Sequence, residues 1–162
     1  MKTKSFAEMD CSIARSLEQV GSWWSLLIIR EALMGSRRFR EFEKQLGISK
    51  NTLTSRLNEL VATGVMEKRD GEGGSAYAEY RLTPKGRALA PVLMALAQWG
   101  DRWAEHESGR RYAFVDRRTD AEISEIRPRR ENGEAIPLRE IALKPLKPDV
   151  RDPSETRSKE KP

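Results

Sequence analysis

Apolar residues recur at helical spacing from residue 12 to residue 63. Ile13, Leu17 and Val20 fall at i, i+4, i+7, which predicts a helix over 12–20 that Gly21 stops. Ser22 is placed to cap a second helix over 23–34, closed by Gly35. Trp24, Leu26, Leu27, Ile28 and Leu33 make that helix apolar nearly all round, so it is expected to be the central buried one. A shorter helix over 40–46 follows, with Phe39, Phe42 and Leu46 on one face. The turn Leu46-Gly47-Ile48-Ser49 then leads into a helix over 50–63, ended by Gly64, whose Leu53, Leu57, Leu60 and Val61 share a face. Helix, glycine-containing turn, helix is the helix-turn-helix pattern.

After Gly64 the period switches to alternation. Residues 65–69 and 78–82 read as paired strands, with the glycine-rich 70–75 as their tip, so the expected fold is a mainly α winged helix-turn-helix with a small β-wing (α+β). Thr83 caps a long helix expected over 84–107, with Pro84 at its first position. Leu89, Val92, Leu93, Leu96, Trp99 and Trp103 form a stripe on it too wide for a monomeric surface helix. With Ile13 and Leu17 they predict a two-fold homodimer, the alternative being core packing under the C-terminal extension. Residues 112–116, 121–127 and 136–146 look like short strands around an Asn132-Gly133 turn. The expected organisation is a winged-helix and dimerisation domain over 9–107, a β-rich extension over 108–146 and a disordered tail over 147–162.

Composition narrows the function. Among 162 residues there are 30 Lys+Arg and 25 Asp+Glu, a net charge of +5. Residues 30–69 hold nine basic against five acidic side chains, and no acid lies between Lys44 and Asn58. With Leu53, Leu57 and Leu60 turned to the core, Asn51, Ser55 and Asn58 point directly away. Thr52 and Thr54 flank them, and Lys50 and Arg56 border the buried side. Ser49, Lys50, Asn51, Thr52, Thr54, Ser55 and Arg56 are therefore candidates to hydrogen-bond base edges and phosphates in a major groove of double-stranded DNA. Lys68, Arg69 and Arg81 on the wing strands, Tyr77 near the tip, and Arg37 and Arg38 before the motif are candidates for phosphate or minor-groove contact. Asp70 and Glu72 argue against deep insertion of the tip. The competing readings are a neutral solvated helix face and a winged helix that docks an acidic protein partner.

One Cys and one His exclude a disulfide-stapled fold and a multi-Cys/His zinc site, so neither metal nor cofactor is expected. His106 is expected to cap carbonyls or lie in solvent. No nucleophile–base pair is visible, and Gly71-Glu72-Gly73-Gly74 is not followed by the helix a dinucleotide fingerprint needs, so an enzyme is not expected. The longest apolar run, over 26–29, is too short for a bilayer, and the N-terminus lacks a signal-peptide core, which predicts a cytoplasmic protein without membrane contact. Trp23, Trp24, Trp99 and Trp103 are candidates to line a pocket for a small hydrophobic effector.

The ordered strings resemble the HxlR-type branch of the MarR-like winged-helix regulators. Those strings are Cys11, Val20-Gly21, Trp24-Ser25-Leu26-Leu27-Ile28, Gly35-Ser36-Arg37-Arg38-Phe39, Ile48-Ser49, Leu53-Thr54-Ser55-Arg56-Leu57, Tyr80-Arg81-Leu82-Thr83-Pro84-Lys85-Gly86 and Trp99-Gly100-Asp101-Arg102-Trp103. The resemblance covers about residues 9–107. It implies a homodimeric DNA-binding transcription factor, often a repressor, acting on a pseudo-palindromic operator. Its helix over 50–63 would enter the major groove and its terminal helices would form the dimer. It also implies an oxidation-sensing role for the residue at Cys11 in some members. Two positions depart from the family: Trp23 stands where a basic residue is usual, and Ser12 follows Cys11 where proline is common. Tails of this kind carry a β-module, sometimes with cysteine pairs that suggest zinc; this one has none.

Overall fold

The computed structural model describes residues 6, 9–71, 77–104, 107, 109–110 and 112–144. The wing-tip residues 72–76, His106 and the expected tail over 147–162 lie outside them. In order come α1 (Ser12–Val20), α2 (Trp23–Leu33), α3 (Phe39–Leu46), α4 (Lys50–Ala62), β1 (Met66–Arg69), β2 (Glu79–Leu82), α5 (Pro84–Arg87) and α6 (Ala90–Trp103). The strands pair antiparallel with Met66 opposite Leu82, Glu67 opposite Arg81, Lys68 opposite Tyr80 and Arg69 opposite Glu79. The fold is a winged helix-turn-helix.

α2 is the central element, touching α3, α4, β2 and α6. Its Ile28 and Ile29 have no exposed surface, and they share one cluster with Phe42, Leu53, Leu57, Leu60, Val65, Met66 and Leu82. Chain direction is set by specific stops. Gly21, Gly47 and Gly64 take positive φ after α1, α3 and α4, a conformation that costs a Cβ-bearing residue steric strain. Ser49 caps α4 by accepting the Thr52 N–H at 3.2 Å, and Thr83 caps α5 through the Gly86 N–H. The Thr83 hydroxyl also donates to the Gly64 carbonyl at 2.7 Å, tying the end of β2 to the start of β1. Gly86 sits so close to that junction that a Cβ would lie 2.2 Å from the Val65 carbonyl oxygen.

The structure corrects several expectations. Ser22 occupies the N-cap of α2, but its side chain makes no cap bond there. The helix expected over 84–107 is two helices and ends at Trp103. Pro91 has no N–H to give the Arg87 carbonyl, and its ring crowds that oxygen, so the chain leaves the helix after Arg87 and restarts at Ala90. Leu93 is buried in the core of its own chain and Leu89 packs against it. Leu93 leaves almost no surface for a partner and Leu89 only part of its own, whereas Val92, Leu96, Trp99 and Trp103 are exposed. On α1, Ala14 and Val20 turn inward, whereas Ile13 and Leu17 are exposed.

The three strands expected in the extension are absent among the described residues. Two antiparallel bridges, Val115↔Glu122 and Arg129↔Ala135, and a 3-10 turn, Leu138–Glu140, stand in their place. Pro137 interrupts the third segment and begins that turn, and Leu143 is 95% exposed, so alternation there lacks a buried face to serve. The chain divides into two compact units after Ile126. In the first unit, Phe114 packs against the core, the Arg30 guanidinium lies 6.0 Å from the Tyr112 ring centroid, and Gln98 bonds both Ser124 and Ile126 backbone. In the second, Arg130 bonds Glu140 at 2.7 Å across the 3-10 turn.

Candidate nucleic-acid interface

α4 takes its orientation from Leu53, Leu57 and Leu60, none of which has exposed surface. Asn51, Thr54, Ser55 and Asn58 are consequently exposed on the far side. Ser49 and Thr52 share the cap, their hydroxyls 2.9 Å apart, so their first task is to hold the helix start. Lys50 is exposed, 4.0 Å from Glu43. Arg56 is half-buried and folds back along the helix: it pairs with Glu59 at 2.7 Å and lies 3.4 Å from the Ser55 hydroxyl. A Cβ on Gly21 would fall within 3.9 Å of its Nη1, which places the Arg56–Glu59 pair against the elbow between α1 and α2. The outward face is therefore Asn51, Thr54, Ser55 and Asn58, with Lys50 at its leading end.

The basic residues of the wing differ in how they are held. Lys68 is exposed. Arg69 pairs with Glu67 at 2.7 Å, whereas Arg81 gives two hydrogen bonds to the buried Glu79, from Nε at 3.1 Å and Nη2 at 2.9 Å. Arg37 and Arg38 are exposed, with Arg38 3.9 Å from the same Glu79. Tyr77 is exposed, and the Arg40 guanidinium lies 5.9 Å from its ring centroid. Arg40, Glu41 and Glu79 were not among the candidates. Arg40 could have been found from the charge run. Glu79 could not, because its contact with Arg38 is tertiary, whereas Glu41 acts locally, as the third residue of α3 reaching back to the Arg37 and Arg38 N–H groups.

Trp24 is half-buried and packs against the core, while Trp23, Trp99 and Trp103 are exposed. A cleft of about 290 Å³ lies elsewhere, lined among others by Arg15, Gln19, Val20, Val65, Lys85 and Leu89. Cys11 is a free, exposed thiol at the N-cap of α1. Among the described residues there is no group of three or more His, Cys, Asp or Glu able to hold a metal, and no helix long and apolar enough to cross a membrane.

A recognition helix on a two-stranded wing places the protein in the winged helix-turn-helix class. Residues 19–108 match the HxlR-like helix-turn-helix family, and the chain belongs to that family. It is 43% identical over 98 residues to the HTH-type transcriptional regulator Mb3122 of Mycobacterium bovis, a match covering 60% of this chain and 62% of that relative. Among solved structures it is similar to PA1607, a proposed transcription factor, with a TM-score of 0.79 and 38% identity over 87% of this chain and 99% of the other. It is also similar to the redox regulator HypR in its reduced form, with a TM-score of 0.52 and 28% identity over 57% of this chain and 92% of the other. The relatives are named as regulators, not as enzymes.

One electrostatic contact at this site is open to direct measurement. The Glu41 carboxylate accepts the backbone N–H of Arg37 at 2.7 Å and of Arg38 at 2.9 Å, and these bonds hold it below its ordinary value of 4.5. A depressed folded value means that the stabilisation is complete above 4.5 and is lost as pH falls through the folded value. Glu41→Ala should cost about 1 kcal/mol at neutral pH, a helix-cap magnitude kept small by solvent exposure. Denaturant unfolding of both proteins should show that difference narrowing as the solution is acidified. A pH-independent difference would contradict this account.

Proposed function

We propose that the chain is a sequence-specific DNA-binding transcriptional regulator, acting as a homodimeric repressor on a pseudo-palindromic operator. The observation that carries this reading is the exposed face of α4. Asn51, Thr54, Ser55 and Asn58 are exposed together, and no carboxylate stands between Lys44 and Asn58. Amides and hydroxyls of this kind match the donor and acceptor pattern of base edges in a major groove. Outside α4, Arg37, Arg38, Arg40 and Lys68 carry exposed positive charge suited to phosphates.

The homodimer is supported by a second face. Ile13 and Leu17 on α1, and Val92, Leu96, Trp99 and Trp103 on α6, are exposed apolar side chains. Leaving such area in water forgoes about 25 cal/mol per Å², and a second copy can cover it two-fold. The paired recognition helices would then meet half-sites about one DNA turn apart. A dimer seated on an operator excludes other proteins from that DNA, which is the physical basis for choosing repression.

For the input, thiol oxidation is favoured over a small hydrophobic effector. Three of the four candidate tryptophans, Trp23, Trp99 and Trp103, are exposed to solvent, whereas Cys11 is exposed two residues from Ile13 on the proposed dimer face. A sole cysteine can form a disulfide only between chains. The likeness to the redox regulator HypR supports the same choice. The rival reading, a winged helix that docks an acidic protein, predicts different behaviour toward DNA.

Four measurements test these statements. Binding to random duplex should weaken steeply with salt, and Asn51→Ala should cost about 1–3 kcal/mol on a selected operator if it removes a good base contact. Absence of salt-dependent DNA binding would favour the protein-docking rival. Light scattering at micromolar concentration should return twice 18.5 kDa; a mass of 18.5 kDa would remove the dimer. Diamide should produce a non-reducing-gel dimer and change operator affinity, and Cys11→Ser should abolish both; an affinity insensitive to diamide would remove the thiol input.

A further inference from the structure

We propose that Glu79 is a positioning residue for DNA binding: its buried carboxylate fixes Arg38 and Arg81 as one cationic edge that joins the wing to the turn before α3. The inference rests on the DNA-binding reading above and concerns how its phosphate contacts are held in place.

Glu79 is 7% exposed, although it begins a two-stranded wing. The pairing register explains what surrounds it. Met66 and Leu82 face each other and are buried, so the opposite face of the ribbon carries Glu67 with Arg81 and Arg69 with Glu79. On that face Arg81 lies two residues along the strand from Glu79 and closes on it with both hydrogen bonds. On the other edge of β2, Arg38 forms an antiparallel bridge with Glu79, and the Tyr80 N–H donates to the Arg37 carbonyl at 2.7 Å. The Arg38 side chain then approaches the Glu79 carboxylate through Nε, at 3.9 Å.

Residues 37 and 38 are thus held from two directions. Glu41 takes their N–H groups from the side of α3, and β2 takes a carbonyl and a side chain from the side of the wing. Three guanidinium groups, of Arg37, Arg38 and Arg81, against the two carboxylates of Glu41 and Glu79 leave the cluster net positive. An anionic partner still meets a net cation, but one whose long side chains have been ordered before it arrives. Ordering a flexible arginine is a cost of folding or a cost of binding, and Glu79 moves it to folding.

This assignment can be separated from simple charge counting because the two predict opposite signs. Glu79→Gln removes a negative charge from the face. If Glu79 acted only as a charge, the variant would bind DNA more tightly and with a steeper salt dependence. If it positions the arginines, the variant binds roughly fivefold to tenfold more weakly, and the slope of log affinity against log salt becomes shallower by about one phosphate contact.

The experiment is fluorescence anisotropy of the full chain on a labelled random-sequence duplex across a salt series, with circular dichroism melts of each variant. Equal or tighter binding by folded Glu79→Gln would overturn the proposal. Where that variant melts below the assay temperature, Glu79→Asp serves, since it keeps the charge but withdraws it by one methylene. Weaker binding with a shallower slope is then expected, and unchanged binding overturns the proposal. A wild-type chain without salt-dependent binding would fail the DNA reading itself. Steep wild-type binding that Glu79 substitutions leave alone would fail only the positioning role.

Discussion

Leu53, Leu57 and Leu60 lose all exposed surface in one cluster with Ile28, Ile29 and Phe42, and that burial sets the rotation of α4 about its own axis. At helical spacing, three fixed inward positions leave no freedom for the outward ones. Asn51, Thr54, Ser55 and Asn58 project because the leucines cannot. The Ser49 cap fixes where the helix begins, and Gly47 and Gly64 fix where the chain turns before and after it. Removing any of those leucine side chains would disturb the candidate interface through packing alone, by leaving a cavity behind α4.

Around that helix, positive charge is arranged by acids as much as by its own placement. Arg56 is drawn back to Glu59 beside Gly21, Arg69 to Glu67, and Arg81 to Glu79. Exposed pairs of this type add little stability, so their interest lies in geometry. Glu79 differs because it is buried, and a buried carboxylate must be matched by partners that do not leave. The same logic holds on α2, where buried Glu31 receives the Arg30 Nε–H at 3.0 Å.

Much of this was legible in the order of residues. The recognition helix follows from Leu53, Leu57 and Leu60 at one spacing, and the wing from the change of period after Gly64. The apolar pattern does not reveal the break in the last helix, because the stripe from Leu89 to Trp103 runs through it while Pro91 interrupts the backbone bonding. The same stripe hid a division of labour. Leu89 and Leu93 lie one side of it and pack inward, and the rest face out, a distinction that depends on where the neighbouring helix sits. Alternation in the extension has the opposite outcome: the pattern is present, but Pro137 interrupts it and, among the described residues, it forms two isolated bridges in place of strands. Arg56 with Glu59 at i, i+3 and Arg81 with Glu79 at i, i−2 stand at spacings that pair in a helix and on a strand face, whereas the approach of Arg38 to Glu79 depends on how the wing meets the turn before α3 and a count of charges does not show it.

The central claim is that two copies of the outward α4 face read DNA together. Selection of bound fragments from a random duplex pool tests it most directly, since it presumes neither the operator nor the spacing. The account predicts enrichment of an inverted repeat whose half-sites lie about one helical turn apart, or a multiple of it. A pool that shows no enrichment, or that enriches a single unrepeated motif, would contradict it.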